Sequence, residues 1–299
     1  MTVAVQRPTA GPAARSDARS SAGRPNWLAR HGVRYLILTV GAAIMVLPFL
    51  YMVSTSFKSQ TYVLTIPPQF IPHPATVSNY HDAWTTDSFA RYFLNSVVVA
   101  VISTALSLLL SSMMAYAFAR FRFPGREILF KLLLLGLMIP PIMLIIPQFI
   151  LAKYFGLIDS MAGLVIFYIG FSLSLNTFLL RGFFQAIPVE LEQAMQVDGA
   201  GSWTRYWRLI LPLAKPALAT ATIFTFLGSW DEFTWALTII NTPDKRTLPL
   251  AIALFQGQNS TLWGLVFAAS IIAVVPVIVV FLLFQRYFVQ GLTAGAVKG

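Results

Sequence analysis

Two adjacent carboxylates, Asp231 and Glu232, interrupt an otherwise apolar run from Ala217 to Ile240. An ionisable group inside such a run is costly to desolvate and normally faces a polar interior or water. Read as one helix, the run places the pair ~21 Å along its length. Glu232 then shares a stripe with Thr225, Gly228 and Ser229, while Asp231 is turned about 100° away, towards Leu227 and Trp235. Trp230 and Trp235 flank the pair, and aromatic rings beside carboxylates suit a polyhydroxyl ligand held by stacking and hydrogen bonds. Asn176, on another apolar run with Ser172 and Ser174, joins Asp231, Glu232, Trp230 and Ser229 as a candidate for the same polar lining. Acid–base chemistry fits less well, because a helix aims neighbouring side chains about 100° apart and no metal constellation accompanies them.

A second stretch, from Pro188 to Pro216, is an amphipathic island between apolar spans. Pro188 opens a helix, since its missing N–H lies among the donors that a helix start leaves unpaired. Glu190 and Glu192 then put negative charge in the first turn, where the helix dipole favours it. Asp198-Gly199-Ala200-Gly201 ends that helix, and Gly199 is the residue expected at positive φ. Ser202 is expected to cap a second helix, on which Trp203, Tyr206, Trp207 and Ile210 share one face, and Pro212 is expected to close it. Two short helices around a tight turn lie on a membrane surface rather than crossing it. That geometry is a docking loop.

The island resembles the coupling loop of the inner-membrane permease subunits of ATP-binding-cassette importers, whose pattern is Glu-Ala-Ala, three residues, Gly, nine residues, Ile, one residue, Leu-Pro. Gln193-Ala194-Met195, Gly199, Leu209 and Leu211-Pro212 occupy those positions, with Gln193 where the family has glutamate. Asn95-Ser96, Arg122-Phe123-Pro124-Gly125, Trp230-Asp231-Glu232-Phe233 and the terminal Gly291 to Gly299 are similar to the maltose-type, sugar-importing branch. The resemblance implies an all-α polytopic membrane protein with six transmembrane helices and a cytoplasmic coupling loop over 188–216. It implies half of a pathway for a carbohydrate or related polyol, shared with a second permease subunit. Further implied partners are two ATP-binding-cassette ATPase subunits, which hold the ATP and Mg, and an extracytoplasmic substrate-binding protein; this chain itself binds no cofactor. Contact with the ATPase falls to Glu190, Glu192, Gln193, Ala194, Asp198, Gly199 and Ala200, and to Gly291, Leu292 and Thr293 in the tail. The family usually has Asn at the position of Asp231.

Composition points to a membrane protein independently. The 299 residues are 57% hydrophobic and 11% charged, with a mean hydropathy of +0.71, so a soluble fold would expose far too much apolar surface. Cysteine is absent, which excludes disulfides and thiolate chemistry, and the three histidines lie in flanks and loops without ligand spacing. Six runs are long enough to cross ~30 Å of hydrocarbon: Val33–Ser54, Tyr92–Ala117, Ile128–Leu151, Ala162–Leu180, Ala217–Ile240 and Leu262–Phe284. Of the 21 Lys and Arg, only Lys58, Arg91, Lys153, Lys245 and Arg246 fall on one side of these spans. The positive-inside rule therefore puts both termini and the island in the cytoplasm, and the resemblance implies that the membrane crossed by this multi-pass chain is a bacterial inner one. Residues 1–32 read as a disordered basic arm, 33–285 as the transmembrane permease domain and 286–299 as a cytoplasmic tail.

Pro140-Pro141 and Pro147 remove backbone donors from the third run and are expected to kink or break it. Hydroxyls at Ser103, Thr104, Ser107, Ser111 and Ser112 suit helix packing. No Gly-x-x-x-x-Gly-Lys-Ser/Thr phosphate loop occurs, so the chain is not expected to hydrolyse ATP. Two other classes fit the apolar spans: a membrane-embedded enzyme on a lipid-linked sugar, and a self-sufficient secondary transporter. The first is weakened by the divergent carboxylates, the second by six spans without a visible inverted repeat. The orientation is testable because any introduced thiol is unique. Cys at Ser202 should be shielded from an impermeant reagent in intact cells and Cys at Ser260 should react; the reverse pattern overturns the topology.

Overall fold

A computed structural model describes residues 27–257 and 261–296. The basic arm up to residue 26, Ser260 and Lys298 lie outside the described residues. The chain divides into two compact units, Met1–Phe49 and Leu50–Gly299. Among the described residues the regular structure is helical, with no β-strand.

Helix α1 (Trp27–Ser56) is followed by a loop, the short α2 (Ser78–Thr85) and the long α3 (Phe89–Arg120). Next come α4 (Arg126–Met138), α5 (Ile145–Tyr154) and α6 (Met161–Ala186). The island holds α7 (Val189–Val197), α8 (Ser202–Arg205) and α9 (Leu211–Leu213), the last two joined by a π-turn over Tyr206–Ile210. α10 (Lys215–Trp230), α11 (Thr234–Ile239), α12 (Leu248–Leu254) and α13 (Trp263–Ala296) complete the chain. α13 runs without a break past residue 285, where a separate tail was expected to begin.

Four of the six expected spans are unbroken helices, within α1, α3, α6 and α13. The third is broken: α4 and the segment from Pro141 to Tyr154 meet at 100°, as the missing donors of Pro140-Pro141 require. The fifth departs from expectation. Its helix ends at Trp230, residues 231–233 are irregular, and α11 starts only at Thr234. The carboxylates are therefore at a break in the span, not inside one continuous helix.

The second unit is organised around the seam between α3 and α6. Ala100, Ser103, Ser107, Ser111 and Ala115 recur at helical spacing on α3 and are all fully buried. Small side chains let two backbones approach closely, and hydroxyls add interhelical hydrogen bonds where lipid offers none. Ser107 Oγ and Ser172 Oγ lie 2.6 Å apart, and Asn176 donates to Ser107 Oγ at 3.1 Å and to Thr225 Oγ1 at 2.8 Å, which brings α10 into the seam. Gly136 on α4 is a close approach of the same kind, since a Cβ there would sit 2.7 Å from Ser174 Oγ. Trp230 stacks on Phe226 and donates to the Ala273 carbonyl, joining α10 to α13.

At the N-terminal end of α3 the connecting loops are clamped by polar side chains. Asn95 donates to the carbonyls of Asp244 and Arg246, Ser96 accepts from Leu248 N–H at 2.7 Å, and Arg91 pairs with Asp244 at 2.8 Å. Asp159 accepts from the Asn241 and Thr242 amides, the Thr242 hydroxyl and Lys245 Nζ. The Thr242 hydroxyl first, and then the two amides, hold the Asp159 carboxyl well below the usual carboxylate range. A depressed carboxyl contributes stability that is complete above its unfolded value and is lost as pH falls towards its folded one. The difference in thermal stability between the parent and Asp159→Asn should thus be flat down to about pH 5 and should shrink only below about pH 4.

Candidate functional site

The docking loop is built as a capped helix held from behind. Pro188 precedes α7 with φ −54°, and Glu190 and Glu192 lie in its first turn. At the other end Gly199 N–H bonds the Gln196 carbonyl and Ala200 N–H the Met195 carbonyl, which closes the helix with a residue in the left-handed region. Gly199 takes that role with φ +81°, and the space around it is open. A side chain there would be strained by backbone conformation alone.

Glu190, Gln193, Ala194, Asp198 and Gly199 are exposed, and Ala200 is half-buried. Glu192 is not part of that face. It is 4% exposed and turned towards α3, where it pairs with Arg120 Nε and accepts from the Tyr116 hydroxyl at 3.1 Å. Arg120 also donates to the Ile187 carbonyl at 2.7 Å. An external contact for Glu192 is therefore corrected to an internal one, because a cation at the end of α3 lies within reach of that side of α7.

The second half of the loop also departs from expectation. Gly201, not Ser202, is the N-cap residue, and the Ser202 hydroxyl instead accepts from Arg205 at 3.0 Å. Tyr206 and Ile210 are buried among Ala115, Leu180 and Phe184, and the Tyr206 hydroxyl lies 2.7 Å from Ser112 Oγ. Trp203 and Trp207 belong to the same aromatic stripe but remain 60% and 44% exposed. The stripe is wider than the groove it faces, so its edge becomes a shelf of two indoles packed edge to face, with ring centroids 5.7 Å apart. Pro212 does not end the segment; the chain passes through α9 and bends by 77° into α10. Trp203, Trp207 and the 88% exposed Val197 add apolar area to the open side of the loop. Apolar type at a surface turn was their only signal.

The polar recess forms between α6 and α10. Tyr168, Ser172, Asn176, Thr225, Ser229 and Glu232 supply its polar lining around a volume of about 180 Å³. The recess brings together three of the chosen residues, Glu232, Ser229 and Asn176. Glu232 lies past the end of α10, and its carboxylate caps α11: Oε1 accepts from Trp235 N–H at 2.7 Å, and Oε2 from Ala236 N–H at 3.0 Å. Tyr168 also donates to Oε2, at 2.8 Å. Helix restarts expose unpaired amides, and a carboxylate satisfies them where water is scarce.

Asp231 and Trp230 go elsewhere. Both line a second cavity of about 560 Å³ together with Phe233, Leu248, Ser270 and Val277. Trp230 is 2% exposed, and its indole N–H is taken by Ala273, so it does not stack over the recess. Trp235 is equally buried and packs on Phe167 with ring centroids 4.4 Å apart. Flanking aromatic platforms for a sugar are therefore corrected to core side chains, drawn inward because each ring has a groove to fill. Gly291, Leu292 and Thr293 lie on the last turns of α13; their side chains fall outside the described residues.

The sequence matches the family described as binding-protein-dependent transport system inner membrane component over residues 107–294. It is 39% identical to the trehalose transport system permease protein SugB of Mycobacterium tuberculosis, over 88% of this chain and 95% of that protein. It is 34% identical to the diacetylchitobiose uptake system permease protein NgcG of Streptomyces coelicolor, over 89% of this chain and 88% of that one. Among solved structures, a bacterial ABC transporter involved in the import of the acidic polysaccharide alginate aligns with a TM-score of 0.76 at 25% identity, covering 87% of this chain and 97% of its own. With the docking loop and the helices from the second half of α3 onward inside the matched region, the chain belongs to the binding-protein-dependent transport system inner membrane components.

Proposed function

We propose that this multi-pass inner-membrane chain is one permease subunit of an ATP-binding-cassette importer for a carbohydrate or related polyol. It pairs with a second permease subunit, so that each forms half of the pathway. Two copies of a cytosolic ATPase bind ATP and Mg, and an extracytoplasmic protein delivers the substrate. Both termini and the docking loop face the cytoplasm, in keeping with the distribution of Lys and Arg. The observation that carries this reading is the docking loop: an exposed, sharply terminated helix backed by the Arg120–Glu192 ion pair on α3.

A motor that pulls on Glu190, Gln193, Ala194, Asp198, Gly199 and Ala200 moves the loop as a rigid piece, because Glu192, Tyr206 and Ile210 fix it to α3 and α6. Gly291, Leu292 and Thr293 add a tail contact with the ATPase. Glu232, Ser229 and Asn176 line the substrate side of the pathway with hydrogen-bonding groups, and Asp231 with Trp230 lines the cavity on the other face of α10. The carboxylates open into different cavities, which speaks against an acid–base pair.

Gly199→Val should uncouple transport from ATP hydrolysis while leaving the subunit in the membrane, and Gln193→Glu should be tolerated. Glu192→Ala should do more harm, since it leaves Arg120 buried without its partner at a cost of about 3 to 5 kcal/mol. Uptake and ATPase rates of complexes purified in equal amounts decide this; unchanged coupling in Gly199→Val rejects the loop as the contact. The carboxylates should also differ. Glu232→Ala removes both a helix cap and the acceptor of Tyr168, worth about 1 to 3 kcal/mol, and should lower transport on the order of tenfold. Asp231→Asn should be mild; transport kinetics with a normal Glu232→Ala and a dead Asp231→Asn would put the pathway on the other face.

A further inference from the structure

The loop between α1 and α2 leaves large apolar side chains in the open. Ile66 is 96% exposed, Ile71 82%, Leu64 75%, Val77 69% and Phe70 64%. From Ser59 to Tyr80 there is no Lys, Arg, Asp or Glu. Scattered exposed apolar residues are ordinary, but this many on one uncharged loop signal a contact surface.

Its fold shows where that surface lies. Ser54 donates to the Phe70 carbonyl and Lys58 Nζ to the Gln69 carbonyl, so the far arm of the loop is drawn back to the end of α1. The Phe70 ring meets the edge of Tyr51 with centroids 5.7 Å apart. Tyr51 precedes the helix end at Ser56 by about 7 Å of rise. The loop therefore folds back beside the span instead of standing away from it, level with Leu50 and Val53, which are themselves exposed and apolar. Lys58, the nearest formal charge, is 1% exposed and turned inward over the Tyr51 ring. The carbonyls of Gln69 and Phe70 are satisfied internally, as an apolar surrounding demands.

We infer that Leu64, Ile66, Phe70 and Ile71 form a membrane-interface anchor, seated in the headgroup and upper acyl region of the lipid leaflet at this end of α3. The occupant is lipid because the apolar surface is continuous with that of the span, carries no charge and sits below the helix end. Interfacial segments of this type bury their apolar side chains by ~5 to 10 Å, which agrees with the depth set by the Phe70–Tyr51 contact.

The test uses the full-length chain in phosphatidylcholine vesicles, with a polarity-sensitive fluorophore on Ile66→Cys or Ile71→Cys as the only thiol. Asp82→Cys, on an exposed part of α2, is the aqueous control. Probes at 66 and 71 should lose most of their emission to lipids carrying acyl-chain nitroxides and little to aqueous iodide, with the opposite at 82. Iodide quenching at 66 and 71 equal to that at 82 overturns the anchor. Shielding from both quenchers, or shielding that appears only when an external binding protein is added, also overturns it and gives the surface to a protein partner.

Discussion

A bilayer interior supplies no hydrogen bonds, and every interruption of a helix there must bring its own. This chain interrupts its spans twice and answers differently each time. In the third span the break falls at Pro140-Pro141, where the proline rings have already removed the donors. In the fifth, Glu232 supplies a carboxylate to two amides of α11 and a tyrosine from α6. One of the two carboxylates in the span is thus the group that makes the break tolerable. A polar recess follows as a geometric by-product, because the capping carboxylate, the seam asparagine and the hydroxyls of α10 converge on one gap.

The docking loop obeys the same economy of contacts on the outside of the bundle. Its outer face is left unpaired, while its inner face uses an ion pair, two tyrosine hydroxyls and a small apolar cluster. Such a division lets a surface helix be gripped without being peeled away. Glu192 and Gln193 are neighbours in sequence with opposite surroundings, one fastening the helix to α3 and the other open on its outer side.

Much of this was legible in the sequence. Span number follows from apolar runs, the broken third span from its prolines, and the positive φ of Gly199 from a glycine placed where a short helix must end. The helical period also grouped Thr225, Gly228, Ser229 and Glu232, which do line one recess. What could not be read depends on partners distant in the chain. Glu192 turns inward because Arg120, some seventy positions away, ends α3 beside it. Trp230 and Trp235 resemble ligand platforms by type, yet each is claimed by a groove that only the packing of α13 or α6 creates. The end of α10 at Trp230 was hidden because Asp231 and Glu232 do not by themselves stop a helix; the side-chain cap that rewards stopping forms only in three dimensions.

α3 connects these pieces, and its composition has a mechanical meaning. Its 32 residues contain neither glycine nor proline, the usual sites where a helix yields. One end is pinned to the docking loop through Tyr116 and Arg120, the other to residues 244–248 through Arg91, Asn95 and Ser96. A rod without a compliant joint behaves as a torsion shaft: a turn imposed where it meets the docking loop is carried to the far bearing, about 44 Å away along the helical rise from Arg91 to Arg120. Compliance is left to the two broken spans around it.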